Sequence, residues 1–221
     1  MAVVSDLEGT LTTGATYRAL GREAERCIGR VRYLGFVAGR LPALGGAWAG
    51  LSPKRRFQDE WLRRLTTCFA GIEVAAFEAM VARAVEAELW PKRRDDVIAA
   101  LRVHLAAGER VVVASGSLLP VVEAFATRLG LATGASVEAL GTPIEVLEGR
   151  LTGRLAGPVS VGEIKARLVH EHLGSERLSA AYGDSAADVP LLLLSDAPVA
   201  VYPDDILRAT AQELGWRVLA E

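Results

Sequence analysis

Cysteine, lysine and histidine are scarce in this chain and its net charge is small, and each shortage excludes a class of function. The two cysteines, Cys27 and Cys68, stand far apart without a CxxC spacing. That pattern argues against a thiolate metal site or a disulfide framework, and reduced, buried thiols are expected. A net charge of −2 supplies no basic surface for a polyanion, so no nucleic-acid partner is expected. His170 and His172 lie two apart on a helical pattern and diverge, so they do not suit a shared metal, and His104 is expected on a helix surface. No apolar run reaches the ~18–20 residues that span a bilayer, and no transmembrane segment is expected. The nearest, Tyr33 to Leu51, is broken by Arg40 and Pro42. No charged stretch followed by an apolar leader opens the chain, which points to a cytoplasmic protein.

What the chain does have is apolar residue, 51% of 221 positions, enough for one large core or a core with a smaller insert. Ala2 to Ser5 reads as a buried strand. From Ala15 to about Trp90 the pattern is helical: Tyr17, Leu20, Ala24, Cys27, Ile28, Val31 and Leu34 recur at helical spacing. A Gly/Pro-rich break covers 35–52, Ser52-Pro53 reads as an N-cap and first helical position, and Phe57, Trp61, Leu62 and Leu65 share one face. Val74, Phe77, Val81 and Val85 mark another helix, punctuated by Pro91. Beyond Pro91 helices and strands alternate: a helix 97–107, a strand 110–114, a helix 118–129 closed by Gly130, and β-like pieces over 137–155 that suggest a hairpin. A helix 162–172 and a strand 178–182 follow, and the alternation continues to Leu219. Alternating strands and helices imply α/β architecture, a doubly wound parallel sheet covered on both faces. The helical block then reads as a cap inserted after the first strand, with 1–12 and 91–221 as the core domain and 13–90 as the cap domain.

Three strand ends carry the chemistry: Asp6-Leu7-Glu8, Ser115-Gly116-Ser117, and Gly183-Asp184-Ser185 followed by Asp188. Ligands of open parallel sheets bind at the carboxyl ends of the strands. Carboxylates from two such ends suit a hard cation such as Mg²⁺. Ser115 and the backbone N–H groups beside Gly116, near a helix start, suit phosphate oxygens. Lysine occurs only at 54, 92 and 165, and Lys165 lies between the second and third strand ends, where it offers a point charge. Taken singly, each of these residues is a helix cap, a turn or a solvated charge; their joint order is what points to a phosphate site. The Arg-Arg pairs at 55–56, 63–64 and 93–94 read as solvated helix faces balanced by Asp59, Glu60, Asp95 and Asp96.

In that order the segments Asp6-x-Glu8-Gly9-Thr10-Leu11, Val113-Ala114-Ser115-Gly116, Lys165 and Gly183-Asp184-Ser185-Ala186-Ala187-Asp188 resemble the four motifs of the haloacid dehalogenase superfamily of phosphatases. The helical insert resembles the cap of the phosphoserine phosphatase branch. Gly149-Arg150-Leu151-Thr152-Gly153 and Gly215-Trp216-Arg217-Val218-Leu219 resemble a bacterial subgroup of it. The resemblance implies a Rossmann-like core with a helical cap and hydrolysis of a small-molecule phosphomonoester. It implies Asp6 as nucleophile, forming an aspartyl-phosphate, and Glu8 as the acid and base. Asp6, the Glu8 backbone carbonyl and Asp184 would bind Mg²⁺. Thr10, Ser115, Gly116 and Lys165 would hold phosphate, and Asp188 would orient Lys165 or a metal-bound water. A phosphotransferase with the same intermediate, or a phosphate-binding regulatory protein of low activity, shares these motifs.

The chain departs from the family at four places. Glu8 stands where Asp is commonest; its extra methylene moves the carboxyl by about 1 Å, a displacement that can cost on the order of 10²-fold in rate. Ala15 occupies the position of an acid that binds the amine of phosphoserine. Leu62, beside Arg63 and Arg64, occupies that of a carboxylate-binding Arg. Ala187 replaces a common Asn. The apolar, Gly-rich segment 33–51 is expected to supply cap core or a homodimer contact, the alternative being contact with an apolar or lipid-like leaving group.

Overall fold

The computed structural model describes residues 1–38 and 54–220, the side chains of 54–58 excepted. The break over 35–52, the Ser52-Pro53 cap, Phe57, Arg55-Arg56 and most of the apolar segment 33–51 therefore lie outside the described residues, in whole or in part.

Short apolar runs become the strands of one six-stranded parallel sheet: β1 Ala2–Ser5, β2 Arg110–Leu118, β3 Val137–Thr142, then β6 Leu178–Gly183, β7 Ala197–Val201 and β8 Arg217–Leu219. Their order is β3-β2-β1-β6-β7-β8, every pairing parallel. Side chains alternate across the sheet with period two. Val3, Val111, Val113, Ala180 and Val199 enter one core layer, and Ala2, Val4, Val112, Ala181 and Ala200 enter the other. Helices α5 (Asp95–Ala106) and α6 (Leu119–Thr133) cover the first face through Val97, Leu101, Val122 and Phe125. Helices α7 (Glu163–Leu173), α8 (Val189–Leu192) and α9 (Asp205–Leu214) cover the second through Val169, Leu191 and Leu207. Burial on both faces is why these strands read as continuous apolar runs.

Between β1 and α5 come α1 (Thr16–Ile28), α2 (Arg30–Ala38), α3 (Lys54–Thr66) and α4 (Val74–Ala84). Gly29, at φ +82°, ends α1, so the expected single apolar row splits. Leu20 and Ala24 are in the core, whereas Tyr17, Val31 and Leu34 are exposed. A π turn, Val85–Leu89, and a 3-10 turn, Trp90–Lys92, lead back to α5. Thr12 ties the two crossings together, its hydroxyl donating to the Leu89 carbonyl at 2.7 Å.

The hairpin expected over 137–155 is divided. β3 joins the main sheet, while β4 (Ile144–Leu147) and β5 (Arg150–Leu155) pair antiparallel. Glu148 and Gly149 both take positive φ, as a two-residue turn between twisted strands requires. The hairpin bonds to the helical insert through Gly71 N–H to Leu151 O and Leu151 N–H to Ile72 O. Two boundaries also differ from expectation. β2 continues to Leu118 through an irregularity after Ala114, and α6 runs past Gly130 to close at Gly134 in the left-handed region. Gly130 is there for close approach: a Cβ on it would sit 2.8 Å from the Ala135 carbonyl oxygen.

Candidate active site

β1 lies between β2 and β6, so the three chemical strand ends are neighbours and open on one crevice. Lys165, from the first turn of α7, is buried beneath it. Its Nζ donates to Asp6 Oδ1 and to Asp188 Oδ1, both at 2.6 Å. The other Asp188 oxygen accepts from Asp184 N–H at 3.3 Å, Ser185 N–H at 3.2 Å and the Ser185 hydroxyl at 3.0 Å. Ser185 and Asp188 thereby form a capping box, so Asp188 caps this turn with one oxygen and holds Lys165 with the other.

Asp6, Asp184 and Asp188 each present an oxygen within 4.8 Å of the others. When all three carboxylates are ionised, one ammonium leaves two of their charges uncompensated. Burial first, and then the charge of Asp188, pushes Asp184 up to about 7. Burial likewise holds Asp6 well above the usual carboxylate range, with Asp188 and Asp184 adding to it against the pull of Lys165. Burial works against the charge on Lys165, but Asp188 and Asp6 outweigh it and keep the ammonium charged. The donor set is hard oxygen, its excess charge matches a divalent cation, and it fits Mg²⁺ by both criteria.

Glu8 points elsewhere. Its Oε1 accepts from the Thr16 backbone N–H at 2.6 Å and its Oε2 from the Thr16 hydroxyl at 2.7 Å. The N-cap of α1 is Ala15, which has no side-chain oxygen, so Glu8 supplies a cap from the preceding loop. Burial raises its pKa, with the Thr16 bonds opposing. Thr16 was not legible as a partner; the only signal was a helix starting after a residue that cannot cap it.

The remaining predicted residues have partners of their own. Ser115 is buried, and its Oγ accepts from Ser117 N–H at 3.1 Å. The Gly116 carbonyl accepts from the Thr142 hydroxyl at 2.7 Å, and Gly116 itself lies against Val161. The Thr10 hydroxyl donates to Asp184 Oδ1 at 3.3 Å. Gly9, at φ +88°, passes so close to Asp184 that a Cβ would lie 2.0 Å from its Oδ2. Gly9→Ala is expected to cost about 1–3 kcal/mol from backbone strain alone, before the clash is counted. A thermal melt within 1 °C of wild type would remove this reading.

Three expectations for residues other than the predicted site residues are corrected. His104 does not sit on an open helix surface: its ring bonds Glu109 Oε2 at 2.5 Å and the Tyr182 hydroxyl at 2.9 Å. Arg94 is not a solvated charge but donates from Nε to the Gly9 carbonyl at 3.1 Å. Cys27 is exposed and Cys68 half-buried, although both are free thiols. Leu62 belongs to the core, while Arg63 and Arg64 are exposed. A cavity of about 510 Å³, lined by His104, Leu193, Trp216 and Arg217, lies at the starts of β7 and β8; it includes part of the closing Gly215–Leu219 segment but none of the acidic, serine or lysine motif residues.

A doubly wound sheet with carboxylates at adjacent strand ends and a buried lysine from a flanking helix defines a class of α/β proteins whose ligands meet the carboxyl ends of the strands. Within it, residues 3–193 match the family model of haloacid dehalogenase-like hydrolases, and the chain belongs to that family. It is 31% identical over 220 residues to phosphoserine phosphatase SerB1 of Mycobacterium tuberculosis, an alignment covering 96% of this chain and 59% of that protein. The chain thus spans about three fifths of the length of that curated relative. A Bordetella pertussis protein of unknown function superposes with a TM-score of 0.78 at 24% identity, covering 99% of this chain and 97% of the other. A phospho-aspartyl intermediate analogue of phosphoserine phosphatase superposes with a TM-score of 0.63 at 18% identity, covering 100% and 93%. The fold is shared with these structures. Among the described residues, no helix is long and apolar enough to cross a membrane.

Proposed function

We propose that the chain is a Mg²⁺-dependent phosphomonoester hydrolase acting through an aspartyl-phosphate on Asp6, with 13–90 as a cap on a core of 1–12 and 91–221. The observation that carries this reading is the group of Asp6, Asp184 and Asp188, of which Asp6 and Asp188 are buried and share Lys165, with more carboxylates than cations. Asp6, the Glu8 backbone carbonyl and Asp184 would hold Mg²⁺, with Asp188 adjoining them. Bound there, the cation supplies charge neutralisation for the phosphoryl oxygens.

The chain's own residues do the rest. An Asp6 carboxylate oxygen attacks phosphorus, the P–O bond to the leaving group breaks, and Glu8 gives its proton to the departing oxygen. Glu8 then takes a proton from water as that water attacks phosphorus, releasing phosphate and restoring Asp6. Lys165, Ser115 and the backbone beside Gly116 hold the transferred oxygens, with Thr10 steadying Asp184. Phosphoryl transfer asks mainly for such positioning and charge balance. Burial suits Glu8 to the first step, since a raised pKa keeps more of it protonated near neutral pH. For Glu8 to reach the leaving group, its side chain gives up the Thr16 bonds.

Ala15 and Leu62 offer no charge to an amine or a carboxylate, so the leaving group is expected to differ from free serine. A screen of phosphomonoesters with and without Mg²⁺ tests the reading; no Mg²⁺-dependent phosphate release from any of them would overturn it. Glu8→Gln is expected to lower turnover by about 10²–10⁴-fold. Unchanged turnover in that variant would eliminate Glu8 from proton transfer.

A further inference from the structure

We infer that Arg94, Tyr202 and Asp204 form a bracket that locks the Gly9 turn against the Asp184 loop and so sets the spacing of the cation-binding carboxylates. This rests on the reading of Asp6 and Asp184 as cation ligands. None of the three touches the reacting atoms, and all act by positioning.

The contacts close a circuit. Arg94 is held at the start of α5 by its N–H to the Leu11 carbonyl at 2.8 Å, and its Nε donates to the Gly9 carbonyl at 3.1 Å. Its guanidinium lies 3.8 Å from the centroid of the Tyr202 ring. The Tyr202 hydroxyl donates to Asp96 Oδ2 at 3.0 Å, and its backbone N–H donates to Leu219 O at 2.7 Å. Two residues on, the Asp204 N–H donates to the Asp184 carbonyl at 2.9 Å. The Asp204 side chain accepts from Ala186 N–H at 3.0 Å and from Leu207 N–H at 2.7 Å, joining the Asp184 loop to α9. The Gly9 backbone in turn packs directly on the Asp184 carboxylate, where even a methyl group would not fit.

Each element of this circuit has a physical reason to be where it is. Asp6 and Asp184 sit on loops that leave different strands, and like charges drive those loops apart. Hydrogen bonds of the flanking backbone to Arg94 and Asp204 oppose that separation. Tyr202 adopts φ +43°, a left-handed conformation that non-glycine residues seldom take. Such strain persists where surrounding contacts over-determine the backbone. Here those contacts are the stacked guanidinium, the Asp96 bond and the Leu219 bond. Arg is needed rather than Lys because one planar group must stack on a ring and donate from Nε together.

The test is Mn²⁺ binding to the full chain, followed by the electron paramagnetic resonance of free Mn²⁺, with thermal melts on the same samples. Removing partners that orient metal ligands typically costs about 10–100-fold in affinity. Arg94→Ala and Tyr202→Ala are each expected to weaken Mn²⁺ binding by about tenfold or more, and the double variant to lose no more than the weaker-binding single. Arg93→Ala, which touches Trp90 and Asp95 instead, should bind as wild type. Tyr202→Phe keeps the ring under Arg94 but loses the Asp96 bond, and should fall between wild type and Tyr202→Ala. Arg94→Lys keeps the charge without the planar stack; should the alanine variants not fold, its weakened binding carries the result. A folded Arg94→Ala or Arg94→Lys protein with a lower melting temperature but wild-type Mn²⁺ affinity would make the bracket purely structural and overturn the inference. Wild-type binding indifferent to Asp184→Asn would instead remove the cation reading itself, and the bracket with it.

Discussion

Asp6→Asn is expected to lower phosphate release by at least on the order of 10³-fold while leaving the fold intact. The amide keeps the size of the side chain but is a far poorer nucleophile than the carboxylate, so the covalent route is closed. Loss through misfolding is separable from loss of chemistry because of the local charge balance. Breaking a buried ion pair is ordinarily costly, since it leaves one charge uncompensated. Here the surplus is negative, and Lys165 retains Asp188 at 2.6 Å after Asp6 is neutralised. The cation-free variant should therefore melt no lower than wild type. The measurements are initial rates with Mg²⁺, a thermal melt, and mass analysis of acid-quenched turnover mixtures for a phosphorylated chain. A variant that still releases phosphate at more than a tenth of the wild-type rate would remove Asp6 as nucleophile.

Much of this arrangement was legible because apolar runs that stop abruptly at Asp6, Ser115 and Asp184 carry two kinds of information at once. The apolar part marks a strand buried on both faces, and the polar end marks the side of the sheet where the chain emerges. Once β1 stands between β2 and β6, proximity follows, and with it the crevice. What could not be read was which side chain engages which. Glu8 is a sequence neighbour of Asp6, yet its longer arm turns to Thr16 because α1 starts after Ala15, whose side chain cannot cap the first N–H groups. Arg94 looked like half of a solvated pair, since nothing in Arg93-Arg94 distinguishes the residue facing Asp95 from the one facing Gly9. Periodicity also overstated the apolar face of the insert. Leu34 recurs on the spacing of the preceding helix but is exposed, because Gly29 breaks the helix and resets its phase. Gly130 misled in the opposite direction: a glycine required for close packing has the same appearance as one that ends a helix.

Lys165→Met tests the electrostatics from the other side, and its effect on stability should be the larger. Methionine is similar in length and fills the buried space, so the change removes charge with little cavity. It leaves Asp6, Asp184 and Asp188 together with no cation between them, and loss of one partner of a buried pair costs about 3–5 kcal/mol. The deficit should depend on pH in a definite direction. The raised pKa of Lys165 lies above that of a free lysine, so its ammonium contributes a constant amount across pH 5–8 in the wild type. The carboxylates supply the slope. Asp184, already raised to about 7 by burial and Asp188, takes up a proton in the folded state that the unfolded chain does not hold between roughly pH 4 and 7. Stability therefore falls as pH rises through that window. Without Lys165 the acids shift further upward, and the fall becomes steeper and extends to higher pH. Thermal melts should show Lys165→Met close to wild type near pH 5 and far below it at pH 8. Added Mg²⁺ should recover part of the difference at pH 8, where the carboxylates are ionised, and little at pH 5, where protons already hold the site. A deficit of equal size at both pH values would mean that Lys165 acts through packing alone. Charge balance among Asp6, Asp184 and Asp188 would then no longer account for the presence of a buried lysine in this crevice.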